Sequence, residues 1–266
     1  MRLVLKITKI ILATVFTVYS LILAYQLFLT PKEKRFHLAG NMQGLGLSQA
    51  MFDILNWQHP NYSDPYFERS VPFNKRGDYA TGFYYLDKAV ELEPNKHLGY
   101  RGYMKLRFLR DFKGALIDFN RLDSLTPNVK DAPWGEDIDF LRGESYFGLK
   151  DYTRALEYFQ QSLSNQGTDW ADVQTLIYQG LCHYELADYN GAISSFESAL
   201  IQYDKTCEAH FGLGRTYLQL GDTLKAIDYL RKAKENIAYK RDDSYKEYLN
   251  EIYQEEIEDL LANLKK

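Results

Sequence analysis

The side chains best suited to metal, acid–base or nucleophilic chemistry are five histidines, His37, His59, His97, His183 and His210, two cysteines, Cys182 and Cys207, and adjacent acids such as Asp242-Asp243 and Glu255-Glu256. Zinc sites need ligands at short, face-sharing spacings, and no two of these histidines stand four apart or form an HExxH pattern. The cysteines lack the spacing of a metal or redox pair and fall on different predicted helices, so neither a disulfide framework nor a metal site is expected. Gly40-Asn41-Met42-Gln43-Gly44 has no strand before it and no Lys-Ser/Thr after it, both of which a phosphate-cradling loop requires. Gly143-Glu144-Ser145 lies within a predicted helix and lacks the second glycine of a nucleophile elbow. The acid pairs read as solvated helical surface. No catalytic residue, metal ligand or cofactor-binding residue is nominated, and a non-enzymatic protein without a cofactor is expected.

The elements behind these residues repeat. Asp151, Tyr152, Ala155, Phe159 returns as Asp188, Tyr189, Ala192, Phe196, Ala199, and three further copies align on Asp78, Tyr79, Gly82, Leu86, Ala89, on Asp111, Phe112, Ala115, Phe119, Leu122, and on Asp222, Thr223, Ala226, Leu230, Ala233. A preceding helix carries a small residue and, three positions on, an aromatic or histidine: Ser70 and Phe73, Gly143 and Tyr146, Gly180 and His183, Gly214 and Tyr217. In the second copy Tyr103 and Leu106 stand at those places. The small residue allows close helix approach, the bulky one fills the gap to the next pair, and neither helix buries its apolar stripe alone. Arg76-Gly77-Asp78, Gly148-Leu149-Lys150-Asp151 and Gly221-Asp222 read as turns, with glycine suited to a left-handed cap and aspartate capping the next helix. Pro94 and Pro127 close the first two copies. Asn128 to Gly135, with Pro133 and Trp134, reads as an inserted surface loop.

Over residues 63–240 this cadence resembles the tetratricopeptide repeat family. The third, fourth and fifth copies carry Gly167, Asp204 and Ala238 where that family usually places a closing proline. The resemblance implies an all-α fold: a solenoid of about five helix-turn-helix repeats, near 63–95, 96–129, 136–169, 173–206 and 207–240, with function residing in a surface. It also implies that the first helix of each pair lines a concave groove for a protein or peptide partner. The positions so implied are Phe67, Tyr100, Met104, Arg107, Phe140, Glu144, Phe147, Ile177, Leu181, Tyr184, Phe211 and Arg215. Phe67 and Val71 stand where a carboxylate clamp would place lysine and asparagine, so the groove suits an apolar or amphipathic segment. The competing reading is that these side chains are inter-helix packing or lie under the chain's own segment.

Outside the repeats, residues 1–9 form a basic flank and 10–30 a candidate transmembrane signal-anchor helix. The uncharged run Ile10 to Leu29 would span roughly 30 Å, the hydrocarbon thickness of a bilayer, and lies between Arg2, Lys6, Lys9 and Lys32, Lys34, Arg35. The rivals are a cleaved signal and a buried core helix, but Ala24 has Ile22, not a small residue, two positions before it. No cysteine follows the run, so there is no thiol for lipid attachment. The expected location is a single-pass membrane protein, with the repeats extracytoplasmic if the chain is bacterial; the charge count does not decide the side. Residues 31–62 read as a linker and N-terminal cap, with Gly40 to Gly46 as a hinge. Beyond residue 35 there are 26 basic against 35 acidic residues, a poor basis for nucleic-acid binding. Residues 241–266 read as a long amphipathic capping helix from about Asp243 to Leu264, carrying Tyr248, Leu249, Ile252, Tyr253, Ile257, Leu260, Leu261 and Leu264. Its last turns offer a seam for oligomerisation. The expected function is a membrane-anchored scaffold or adaptor; the alternative is a receptor or chaperone-like module capturing apolar segments of translocating or secreted polypeptides.

Overall fold

The aspartates that mark the repeats each cap a helix. Asp78, Asp111, Asp151, Asp188 and Asp222 accept the backbone N–H of Thr81, Gly114, Arg154, Gly191 and Lys225 at 3.2, 3.0, 3.2, 3.0 and 3.1 Å, satisfying donors that a helix start leaves unpaired. The residue before each aspartate is left-handed: Gly77, Arg110, Lys150, Ala187 and Gly221, with φ of 82°, 54°, 61°, 58° and 77°. Only two of these five are glycine, so the turn is imposed on three side-chain-bearing residues by the packing on either side of it.

The computed structural model describes residues 2–127, 129–166, 171–241 and 248–264. Asn128, Gly167, Asp242-Asp243 and the start of the expected terminal helix lie outside the described residues. The described residues are all-α. The helices are α1 (Arg2–Phe28), α2 (Lys32–Gly40), α3 (Gly46–Gln58), α4 (Ser63–Lys75), α5 (Tyr79–Leu92), α6 (Pro94–Met104), α7 (Phe112–Leu125), α8 (Ile138–Gly148), α9 (Tyr152–Gln166), α10 (Val173–Glu185), α11 (Tyr189–Gln202), α12 (Cys207–Gln219), α13 (Thr223–Glu235) and α14 (Gln254–Asn263). The chain divides into two compact units, 1–97 and 98–266.

In the first unit, α1 contains a 24-residue span, Leu5–Phe28, long and apolar enough to cross a membrane, with none of its most apolar stretch buried. The stretch after it is not an open linker. Ala39, Met51, Phe52 and Leu55 are buried together against Leu27, Phe36 and Met42, and Arg35 donates to the Leu27 carbonyl at 2.6 Å. Ser48 donates to the Ala39 carbonyl at 2.8 Å, so the glycine-rich stretch forms a closed turn between α2 and α3. Helix α3 packs on α4, where Asp53 pairs with Arg69, and α4 packs on α5.

In the second unit, several close approaches set a glycine under a ring, while Gly214 lies under the Leu230 side chain, at 2.7 Å for an added Cβ. A Cβ added to Gly143 would lie 2.5 Å from the Phe159 ring, and one added to Gly180 or Gly212 would lie 2.6 or 2.3 Å from that of Phe196. The second repeat achieves the same approach one residue early: Gly102, not Tyr103, faces the Phe119 ring, at 2.6 Å for an added Cβ. The extra residue between this contact and the capping aspartate is absorbed by a π-helical turn, Lys105–Leu109, at the end of α6. The inserted stretch lies mostly at the surface, as expected, but is pinned at one point: Pro133 is buried and Trp134, itself 50% exposed, packs on Tyr100 with ring centroids 4.9 Å apart.

The terminal capping helix is shorter than the apolar spacing predicts. It covers Gln254–Asn263, and Ile257 and Leu261 pack with Cys207, Phe211, Leu230 and Ala233. Tyr248–Tyr253 is not helical. The same apolar side chains find partners along the inner face of the preceding helices, which a continuous helix would not reach.

Candidate functional site

Helices α8, α10 and α12 present their buried faces to this non-helical strap. Arg107, fully buried, donates to Glu144 Oε1 at 2.7 Å and to Glu136 Oε2 at 2.6 Å. Tyr248 closes the cluster: its hydroxyl donates to Glu136 Oε1 at 3.0 Å and its ring lies 4.1 Å from the Arg107 guanidinium. Leu249 N–H donates to the Tyr178 hydroxyl at 2.9 Å, and Gln174 donates to Asn250 at 2.9 Å. Ile252 then enters the apolar cluster around Phe211. Four strap residues, Tyr248, Leu249, Asn250 and Ile252, are thus held by side chains from the second to the fifth repeat.

Burial raises Glu144 to about 7, with Arg107 pulling it down and Glu136 pushing it up. Burial lowers Arg107, but the carboxylates of Glu144 and Glu136 overcome it and hold the guanidinium above its ordinary value. Burial, reinforced by Glu136, raises the Tyr248 hydroxyl well above its usual range. The strap tyrosine is therefore a neutral donor, matched to a buried carboxylate.

Of the expected groove residues, Arg107, Phe140, Ile177 and Phe211 meet the strap or share a cavity with it. Met104, Arg107, Phe140, Glu144, Ile177 and Phe211 are buried; Phe140 packs on Phe159 and Tyr178. Tyr100 is turned to Trp134. Phe147, Leu181, Tyr184 and Arg215 remain partly exposed, with Arg215 4.5 Å from the Tyr184 ring. Phe147, Leu181 and Arg215 border a cleft of about 170 Å³ whose other wall is Leu249–Ile252, and Tyr184 stands beside it against Arg215. A second cavity, about 280 Å³, lies beside Tyr248 among Glu136, Asp137, Asp172 and Arg241. Phe67 belongs to the first unit, stacked on His97 at 5.1 Å. The residues missed by sequence reasoning are Glu136, Tyr178, Tyr248 and Leu249. Their signal was a pair of opposite charges, Arg107 and Glu144, on successive inward faces of otherwise apolar helices.

One polar cluster in the first unit has ligand-like composition. Asp64, Glu93 and His97 place donor atoms within 4.8 Å of one another. Ser63 donates to Glu93 at 2.6 Å, its oxygen lies 3.0 Å from His97 Nε2, and the Lys96 ammonium sits 2.6 Å from Asp64. Burial holds His97 down at about 4, hence neutral. The lysine already supplies the positive charge, and the cluster is satisfied from within.

Family models for the tetratricopeptide repeat match residues 140–169 and 179–241. These residues carry tetratricopeptide repeats. The repeat-containing protein YpiA of Bacillus subtilis is 34% identical over 104 residues, covering 37% of this chain and 23% of that protein. The chain spans at most 23% of the length of the four curated relatives it matches. Among solved structures, PilW, described as a widely conserved type IV pilus biogenesis factor, superposes with a TM-score of 0.61 at 13% identity, over 80% of this chain and 96% of its own. YrrB, described as a TPR protein with an unusual peptide-binding site, gives 0.54 at 19% identity over 70% and 91%. At such identities the likeness establishes the tetratricopeptide fold alone.

Proposed function

We propose that the protein is a non-catalytic, single-pass membrane scaffold whose repeats hold a partner protein along the inner face of residues 98–266. The observation that carries this reading is the strap: the face already holds an extended polypeptide, Tyr248–Ile252, through a buried aromatic anchor, a main-chain hydrogen bond and an aliphatic pocket. The partly exposed rim of Phe147, Leu181, Tyr184 and Arg215 is the part accessible to a partner. Phe67 and Tyr100, packed elsewhere, contribute to local structure. Helix α1 supports the anchor by length and composition, and in a bacterial cell the repeats would face the extracytoplasmic side.

Affinity purification from solubilised membranes with Tyr184→Ala/Arg215→Ala tests the rim. The double variant is expected to lose specific partners that wild type retains, at an unchanged melting temperature; an unchanged partner set would contradict the assignment. Carbonate extraction tests the anchor separately, full release of the uncleaved chain being the contrary outcome.

A further inference from the structure

The seat beneath the strap is wider than the strap. Tyr248 and Ile252 fill their pockets, yet the cleft beside Leu249–Ile252 and the cavity beside Tyr248 remain open, at about 170 and 280 Å³. The main chain is lightly held: Leu249 N–H donates at 2.9 Å, the Ile252 carbonyl accepts from Lys240 at 3.3 Å, and the Tyr248 carbonyl accepts from Arg110 at 3.4 Å. Most of the recognition is done by two side chains four residues apart. The cavity beside Tyr248 also has a charge preference. Among the described residues, Glu136, Asp137 and Asp172 line it with Arg241 as the basic side chain, its guanidinium 5.0 Å from the Tyr248 ring and 3.8 Å from Asp172, while Glu136 is also paired with Arg107. The chain sets its own arginine at the edge of an acidic, tyrosine-lined cavity.

We infer that Tyr248–Ile252 is a built-in competitor, and that the occupant which displaces it is an extended segment of a partner protein carrying a tyrosine, an aliphatic side chain four residues later, and a basic residue close to the tyrosine. This rests on the reading of the inner face as a partner-binding surface and specifies what that surface selects. Tyrosine is selected over phenylalanine because its hydroxyl donates to Glu136 and its ring faces the Arg107 guanidinium. The aliphatic residue is selected because its pocket is formed by Cys207, Phe211, Leu230 and Ala233. The basic residue replaces Arg241 among the acids. A tethered competitor acts at high effective concentration, so the intact chain binds such a segment weakly until the strap is released.

The probe is a labelled synthetic peptide of sequence 246–253, which contains Lys246, Tyr248 and Ile252, titrated by fluorescence anisotropy into the full chain in detergent micelles. The Tyr248→Ala/Ile252→Ala chain is expected to bind it at least tenfold more tightly than wild type, and a peptide with both positions changed to alanine should not bind. Equal affinities for the two chains would overturn the inference. A measurement without mutation accompanies it: excess unlabelled peptide should accelerate hydrogen exchange at the Leu249 amide of wild type, and unaltered exchange at saturating peptide would overturn the inference equally. A wild-type dimer with straps exchanged would also overturn it, because the occupant would then be a second copy. Loss of partners in Tyr184→Ala/Arg215→Ala alongside any of these contrary results would leave the scaffold reading standing and remove only the strap's role as template.

Discussion

Arg107 is the residue on which the inner face turns. It is fully buried, and Glu136 and Glu144 both converge on it. Removing it leaves two carboxylates without their cation, so Arg107→Ala should cost about 3–5 kcal/mol in urea unfolding. Glu144 gives a pH signature. Its folded pKa is about 7 against an ordinary 4.5, so between those values the folded state keeps a proton that the unfolded chain has lost. The stability it contributes therefore falls as pH rises through that window. Glu144→Gln abolishes this titration, and the urea midpoint of the variant should rise relative to wild type across the same window and then level; a pH-independent difference would contradict the assignment. In the sequence Arg107 and Glu144 were legible as charges bordering an apolar groove. Their burial was not, because Glu136 follows the insertion, outside the repeat cadence, and Tyr248 is far along the chain.

At the scale of elements, the capping aspartates and the alternation of helices were readable from spacing, since both depend on local backbone hydrogen bonding. The left-handed residue before each aspartate was readable only where it is glycine. Ala187, at φ 58°, bears the cost of a Cβ in that region, and Ala187→Gly should raise stability by about 1 kcal/mol in thermal unfolding. The shifted register of α6 was not readable, because a π-turn leaves no compositional mark. Gly102→Ala tests it: a Cβ 2.6 Å from the Phe119 ring should cost about 1–3 kcal/mol by overpacking, and a neutral substitution would place the close approach at Tyr103 instead. The terminal segment misled for a different reason. Tyr248, Leu249, Ile252 and Tyr253 fit a helical stripe, but apolar spacing records which residues need burial, not which surface buries them, and here the inner face wins over continuation of α14.

For the whole molecule, the repeat architecture was legible because each pair packs on its neighbours through local rules, whereas the occupancy of the inner face depends on a contact between distant parts of the second unit. Helix α1 is long and apolar enough to cross a membrane, which is the basis of the proposed anchor. A scaffold anchored there should present its partner-binding surface on the inner face and not on the outer one. The most direct test is site-specific photocrosslinking in native membranes, with the probe at Tyr184 on the inner rim or at Leu224, which is 83% exposed on α13. The account predicts a discrete crosslinked partner from Tyr184 and none from Leu224; the same partner from both positions, or one from Leu224 alone, would contradict it.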